Sequence, residues 1–171
     1  MNKPSRISSP STPLQDQFKT FSLRGPRDLL AKLKWDIEQL QLISSHTVGY
    51  HYQAMNCAVT AWQMCDWVYA DLNESKRALF PRERQFRDHI KAESNWLKIC
   101  RELADASKHR NLKDSPSLEI GTPLIDVFTT RNGEIITQMQ VYDGNAIYSA
   151  EQVMWGAYCF WEEYLNNLGL R

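Results

Sequence analysis

The longest apolar run of the chain extends from Tyr50 to Leu72 and contains neither proline nor glycine. Apolar residues recur there at intervals of three and four, which is the period of an α-helix. They are Val48, Tyr52, Met55, Val59, Trp62, Cys65, Tyr69 and Leu72. Most residues between them are also apolar, and such a helix must be covered on most of its sides. We therefore expect this segment to be the central helix of a bundle. Its polar residues make it a poor membrane span.

Three further stretches show the helical period, and their first residues favour helix initiation. They run from Gly25-Pro26 to about Ser44-Ser45, from Pro81 to about Asn111 with a break or bend at Ser94-Asn95, and from Ser149 to Gly169. Ser149 and Gln152 have the spacing of a capping box. The predicted inner stripe of the last helix is Val153, Ala157, Phe160, Tyr164 and Leu168, with Trp161 and Leu165 beside it.

Between the third and the last helix, the hydrophobic period changes to two residues, which is typical of strands. Segments 125–129 and 135–141 alternate in this way, and Asn132-Gly133 between them is a preferred hairpin turn. A short strand over 145–148 follows a second turn at Asp143-Gly144. The predicted fold class is mainly α: a four- or five-helix bundle around a central buried helix, with a small antiparallel β-hairpin at about 122–148, inserted before the C-terminal helix. We expect one domain, 25–171, after a flexible Ser/Pro-rich tail, 1–24.

Charge and cysteine content narrow the classes of function. The formal net charge is zero, but Lys76 to Lys113 carries 11 basic and 5 acidic residues, and 114–171 carries 2 basic and 8 acidic residues. This asymmetry predicts a basic face and an acidic face. The four cysteines lie in apolar helical patterns without a CxxC pair, which favours small core residues in a reducing compartment over a metal site. The N-terminus has no apolar signal segment. We therefore expect a cytoplasmic protein with no metal, no cofactor and no membrane partner.

One candidate site is a polar cluster on the helix that ends near Asn111. Arg101, Asp105 and His109 follow one another at four-residue spacing, and Lys108 lies near the same face. Asp66 lies among aromatic residues of the central helix, and a buried carboxylate needs a cationic or hydrogen-bonding partner. Arg101, Lys108 or His109 could supply it. The cluster is either a general acid/base or phosphate site, or a structural ion-pair lock between two helices.

The second candidate is Arg84-Gln-Phe-Arg-Asp-His89, an Arg separated from a His by four residues at the start of a helix. A helical bundle with this R-x4–6-H motif resembles the HEPN superfamily. Many members are metal-independent ribonucleases of bacterial toxin–antitoxin and defence systems, in which the motif Arg and His meet across a dimer interface. The resemblance implies that Arg84 and His89 are catalytic. His109, separated from Arg101 by seven residues, is a further catalytic candidate.

The resemblance implies RNA as a partner, a homodimer, and cleavage in which His takes the 2′-hydroxyl proton while Arg or Lys stabilises the phosphorane charge. Two alternatives stay open. One is a non-catalytic protein-binding module whose acidic C-terminal face binds a basic partner. The other is a small-molecule pocket built on Asp66. The segments CDW, SKH and FWEEYL are also similar to small uncharacterised bacterial proteins, a resemblance that implies no function.

Overall fold

A computed structural model of the chain describes residues 23–45, 47–108, 120–121, 126–129, 135–138 and 140–169. For Ser107, Lys108 and the strand residues of 120–138 it describes the backbone only, and almost all of the predicted tail lies outside the described residues. The helices are α1 (Pro26–Leu42), α2 (Val48–Asp71), α3 (Glu74–Arg77), α4 (Glu83–Glu93), α5 (Asn95–Lys108) and α6 (Ala150–Leu168). The strands are β1 (Ile120–Gly121), β2 (Asp126–Thr129), β3 (Ile135–Gln138), β4 (Gln140–Asp143) and β5 (Ala146–Ser149).

Helix α2 is the central element, as the sequence predicts. It packs against α1, α4, α5 and α6. Its start is fixed by Thr47, whose hydroxyl accepts a hydrogen bond from the Tyr50 amide at 3.3 Å. The predicted mainly helical bundle around a central helix is therefore confirmed.

The face of α2 that enters the core differs from the most regular apolar stripe of its sequence. The buried face carries mainly small residues: Ala54, Cys57, Ala58, Ala61, Met64, Cys65 and Val68. Val48 and Tyr52, from the predicted stripe, are 60% and 69% exposed. Small residues let neighbouring helices approach α2 closely, whereas the larger side chains of the opposite face would hold them apart.

The strands form two small antiparallel sheets. Strands β2 and β3 pair as the predicted hairpin, with Thr129 opposite Ile135, and its turn lies outside the described residues. Strand β4 lies between β1 and β5. Strands β4 and β5 are joined by a two-residue turn in which Gly144 has a φ of 59°, as the Asp143-Gly144 signal predicts. Strand β5 leads directly into α6.

The predicted break between α4 and α5 occurs at Ser94. This residue is extended, with φ −137° and ψ 114°, and its buried hydroxyl accepts a hydrogen bond from the Leu97 amide at 3.3 Å. The hydroxyl thereby satisfies an amide at the start of α5 that has no helical partner. The segment that begins at Pro81 is consequently two helices, which form two walls of the groove described below.

Helix α6 begins and ends as predicted. Gln152 donates its amide to the Ser149 hydroxyl at 3.2 Å, the Ser149 amide donates to the Gln152 side chain at 2.8 Å, and Gly169 ends the helix with a φ of 67°. The inner face is rotated from the predicted stripe. Trp161 and Leu165 are fully buried, while Phe160, Tyr164 and Leu168 are only partly buried. The Trp161 indole donates to the Ala61 carbonyl at 2.9 Å, which orients this face towards α2.

None of the helices in the described part of the chain combines the length and the apolar character needed to cross a membrane.

Gly156 of α6 is required for the packing of Trp96, at the start of α5. A Cβ atom at position 156 would lie 2.6 Å from the indole of Trp96, which also contacts Tyr148 of β5 edge-to-face at 5.0 Å between ring centroids. Gly49, in the first turn of α2, has no such neighbour: a Cβ atom there would lie 3.7 Å from the Thr47 hydroxyl.

Gly156→Ala should therefore lower the free energy of unfolding by about 1–3 kcal/mol, because overpacking outweighs the better helix propensity of alanine. The matched substitution Gly49→Ala should leave stability unchanged or raise it by up to about 1 kcal/mol. Urea denaturation followed by circular dichroism measures both. Equal stability of the two variants would contradict the assigned contact between Trp96 and α6.

Candidate functional site

A polar groove of about 360 Å³ lies between α2, α4 and α5. We call it the basic groove. Its lining contains four cations (Arg84, Arg87, Lys91 and Arg101), two carboxylates (Asp88 and Asp105) and the indole of Trp62. The lining thus has a formal net charge of +2 and one aromatic ring.

Each helix brings its residues to the groove through simple helical spacing. One face of α4 carries the groove residues, because Arg84 and Lys91 each lie three or four positions from both Arg87 and Asp88. The opposite face carries Phe86 and Ile90, which are buried. On α5, Arg101 and Asp105 are four residues apart and share a face. The sequence-predicted residues Arg84, Arg101 and Asp105 consequently meet at one site, although the sequence places them in two separate motifs.

Asp66 does not have the environment expected from its aromatic neighbours in sequence. It is exposed, and its partner is Arg87 of α4, whose Nε and Nη2 atoms donate to Asp66 Oδ1 at 3.0 and 2.7 Å. Arg87 Nη2 also donates to Glu83 at 2.5 Å. Among the described side chains, the partner of Asp66 is therefore Arg87 and not the expected Arg101. The Lys108 side chain and His109 lie outside the described residues, so a contact of Asp66 with either stays a prediction, as does the pocket built on Asp66. The carboxylate lies on the outer side of α2, where α4 approaches it.

The predicted pair of Arg101 and Asp105 is present. Arg101 Nε lies 3.3 Å from Asp105 Oδ2, and Arg101 Nη1 donates to Glu102 at 3.2 Å. Glu102 is only 7% exposed, and its burial raises the pKa of its carboxyl group despite the opposing charge of Arg101. Arg101 is thus held by two carboxylates of its own helix, with part of its guanidinium still open to the groove.

Of the two remaining candidates, the structure describes only the backbone of Lys108, which is the last residue of α5. His109 lies outside the described residues. Both follow Asp105 within four positions of the sequence.

Arg84 and His89 lie on different sides of α4. Five residues correspond to a rotation of about 140° around a helix. The side chain of Arg84 is 91% exposed at the edge of the basic groove, and its Nε lies 3.9 Å from Asp88 Oδ2. The ring of His89 is half-buried against Phe80, with 5.0 Å between ring centroids. Within one chain, only the Arg of this motif contributes to the groove.

A buried polar cluster between α1 and α2 was not predicted from the sequence. Asp36 is 4% exposed and accepts hydrogen bonds from Lys32 Nζ at 2.5 Å and the Thr60 hydroxyl at 3.1 Å. The Gln53 side chain donates to the Asp36 backbone carbonyl at 2.8 Å. The four-residue spacing of Lys32 and Asp36 on a predicted helix was the available signal. This cluster fixes the register of α1 against α2.

The cysteines offer no nucleophile in the core. Cys57, Cys65 and Cys100 are buried and free, as predicted, and burial raises the pKa of each thiol, that of Cys57 to about 12. Cys159 is exposed, so its assignment to the core was wrong, because it lies on the outer face of α6. Among the residues that the structure describes, no group of three His, Cys, Asp or Glu side chains could hold a metal ion.

The chain was compared with protein-family models, with curated proteins and with solved structures, and none of the three comparisons gave a match.

The two aspartates should differ sharply in their contribution to stability. Asp36→Ala removes the acceptor of a buried hydroxyl and of Lys32, so it should lower the free energy of unfolding by about 1–3 kcal/mol. Asp66→Ala breaks an exposed ion pair and should cost less than about 1 kcal/mol. Denaturant unfolding of both variants tests this ranking. A larger loss for Asp66→Ala would show that the ion pair with Arg87 has the structural role.

Proposed function

We propose that the protein acts on RNA, with the basic groove as the site that binds the phosphodiester backbone. The observation that carries this proposal is the convergence of Arg84, Arg87, Lys91 and Arg101 from two helices beside an indole ring. Cationic side chains supply most of the affinity for a phosphate backbone, and an aromatic ring can stack on an unpaired base. Trp62 at the groove favours single-stranded RNA over a duplex, in which the bases are covered by their neighbours.

The cations differ in how available they are to a ligand. Arg87 is engaged by Asp66 and Glu83, so its first role is to hold the groove in shape. Arg84 has only a long contact with Asp88, and its side chain is largely exposed. Arg84 is consequently the residue that can turn towards a phosphate with least loss of existing interactions. Arg101 supplies a second contact from the opposite wall.

For the chemistry, we propose metal-independent cleavage of RNA of the kind that the HEPN resemblance implies. His109 would accept the 2′-hydroxyl proton as the 2′-oxygen attacks the phosphorus, and Arg84 would stabilise the negative charge of the phosphorane. The bond from phosphorus to the 5′-oxygen would then break, with water protonating the 5′-oxygen and a 2′,3′-cyclic phosphate left as product. His109 is favoured over His89 because it follows Asp105 of the groove by four residues, whereas His89 packs against Phe80. The same resemblance favours a cytoplasmic homodimer that serves as a toxin or defence effector. The three free, buried cysteines are compatible with a reducing compartment.

RNA binding should depend on Arg84 and not on the neighbouring Arg82, which is exposed at the start of α4 and does not line the groove. With a fluorescent single-stranded 12-mer RNA, Arg84→Ala should weaken binding severalfold and reduce the slope of log K against log salt by about 0.7 for one lost phosphate contact. Arg82→Ala is the matched control. Equal binding by both variants would refute the groove as the RNA site.

Cleavage of a mixed RNA pool by the purified protein should be lost in His109→Ala without a fall in melting temperature of more than a few degrees. His51→Ala, in the first turn of α2 and away from the groove, controls for loss of a histidine. Loss of cleavage in His89→Ala alone would assign the chemistry to the R-x4-H pair. Absence of cleavage in the wild-type protein, together with retained RNA binding, would reduce the function to binding.

A further inference from the structure

A second groove, of about 390 Å³, lies on the surface of α6 and shares no described lining residue with the basic groove. We call it the aromatic groove. Its wall is formed by Phe160, Tyr164 and Leu168, which lie one turn apart on α6. These are the residues that the hydrophobic period assigns to the core, and the rotation of α6 leaves them only partly buried.

The aromatic wall is held rigidly. The rings of Phe160 and Tyr164 stack with an interplanar angle of 23° and 5.6 Å between centroids. Tyr164 also meets Phe86 edge-to-face at 6.2 Å and Trp161 at 5.7 Å. A ligand that covers these rings therefore meets a surface that is already in place, with little side-chain entropy to lose.

Two carboxylates flank the wall. Glu93 at the end of α4 and Glu163 on α6 are exposed and line the groove, together with one cation, Lys76. In the part of the chain that the structure describes, neither glutamate has an ion-pair partner within 4.0 Å. Burial raises the pKa of the Tyr164 hydroxyl, and the charges of Cys65 and Glu93 add to this shift. The groove thus offers aromatic faces beside negative charge that no described cation pairs.

We propose that the aromatic groove binds an arginine side chain carried by an extended segment of a partner protein. A guanidinium is planar, stacks on aromatic faces and donates hydrogen bonds from its edge to a carboxylate, so it can use Tyr164 and Glu163 together. Leu168 continues the wall beyond the rings and gives the residue next to the arginine an apolar contact. This inference does not rest on the RNA proposal, because the two grooves have opposite charge and separate residues.

The test uses the full-length protein and two synthetic peptides, acetyl-Ser-Ala-Arg-Ala-Ser-amide and the same peptide with citrulline in place of arginine. Citrulline has nearly the shape of arginine but no charge. Shifts of the tyrosine and phenylalanine ring signals in NMR titrations give the affinities. We expect the arginine peptide to bind about tenfold more tightly, because cation–π and ion-pair contacts add. Salt should reduce the difference.

Two variants with equal charge change locate the site. Glu163→Gln should remove most of the difference between the peptides. Glu162→Gln should keep it, because Glu162 accepts a hydrogen bond from the Tyr158 hydroxyl at 2.7 Å and does not line the groove. RNA binding by Glu163→Gln should equal that of the wild type, so failure of this proposal is distinguishable from failure of the RNA proposal.

Three results would overturn the assignment. The first is equal affinity of the two peptides, or equal effects of the two variants. The second is tighter peptide binding by Lys19→Gln, which would identify the chain's own N-terminal segment as the occupant. The third is a dimer in light scattering that dissociates on Glu163→Gln, which would identify a second copy of the chain.

Discussion

The small side chains on one face of α2 set the spacing of the whole bundle. Ala54, Cys57, Ala58 and Ala61 are fully buried, and they allow the backbones of neighbouring helices to come close to α2. One link is direct, since the Trp161 indole donates a hydrogen bond to the backbone carbonyl of Ala61. A larger residue at position 61 would take up the space beside this carbonyl and push α6 away from α2. The positions of both grooves follow from this spacing, because most of the residues that line them are on α4, α5 and α6, which surround α2.

The two grooves draw part of their charge from different segments of the chain. The net basic segment from Lys76 to Lys113 supplies all four cations of the basic groove, and α6, from the net acidic segment, supplies Glu163 of the aromatic groove. Within the basic groove, each cation is close to a carboxylate. The net charge is therefore modest, but the side chains are held in place. Shape and ordered charge, more than total charge, distinguish this groove from an ordinary solvated helix face.

Local signals in the sequence predicted the elements well. The capping box at Ser149, the break at Ser94 and the glycine stop at Gly169 each depend on residues within one turn, and each was found where the sequence predicts it. The face that each helix turns towards the core could not be predicted from such local signals. Helix α2 is apolar nearly all round, so its period could not decide whether Tyr52 or Ala54 enters the core.

The candidate site was predictable only in part, because some of its contacts lie within one helix and others join two helices. Arg101 and Asp105 are on one helix, and four-residue spacing was enough to pair them. The partner of Asp66 is 21 residues away on a different helix, and no spacing rule links it to Arg87. The meeting of Arg84 with Arg101 likewise depends on how α4 and α5 are placed after the break. Contacts between helices are decided by packing, which a single sequence shows only indirectly.

The four thiols of the chain differ in their access to solvent. Three are enclosed by the bundle, and their raised pKa values keep them protonated at neutral pH, so they behave as small apolar groups. Cys159 alone is exposed, on the outer face of α6. Oxidants and thiol reagents that meet the native fold therefore act at one surface position, far along the helix from its capped start. Oxidation of the accessible thiol therefore leaves the packing of the core unchanged. A thiol-reactive spectroscopic label would attach to the native protein at Cys159 alone.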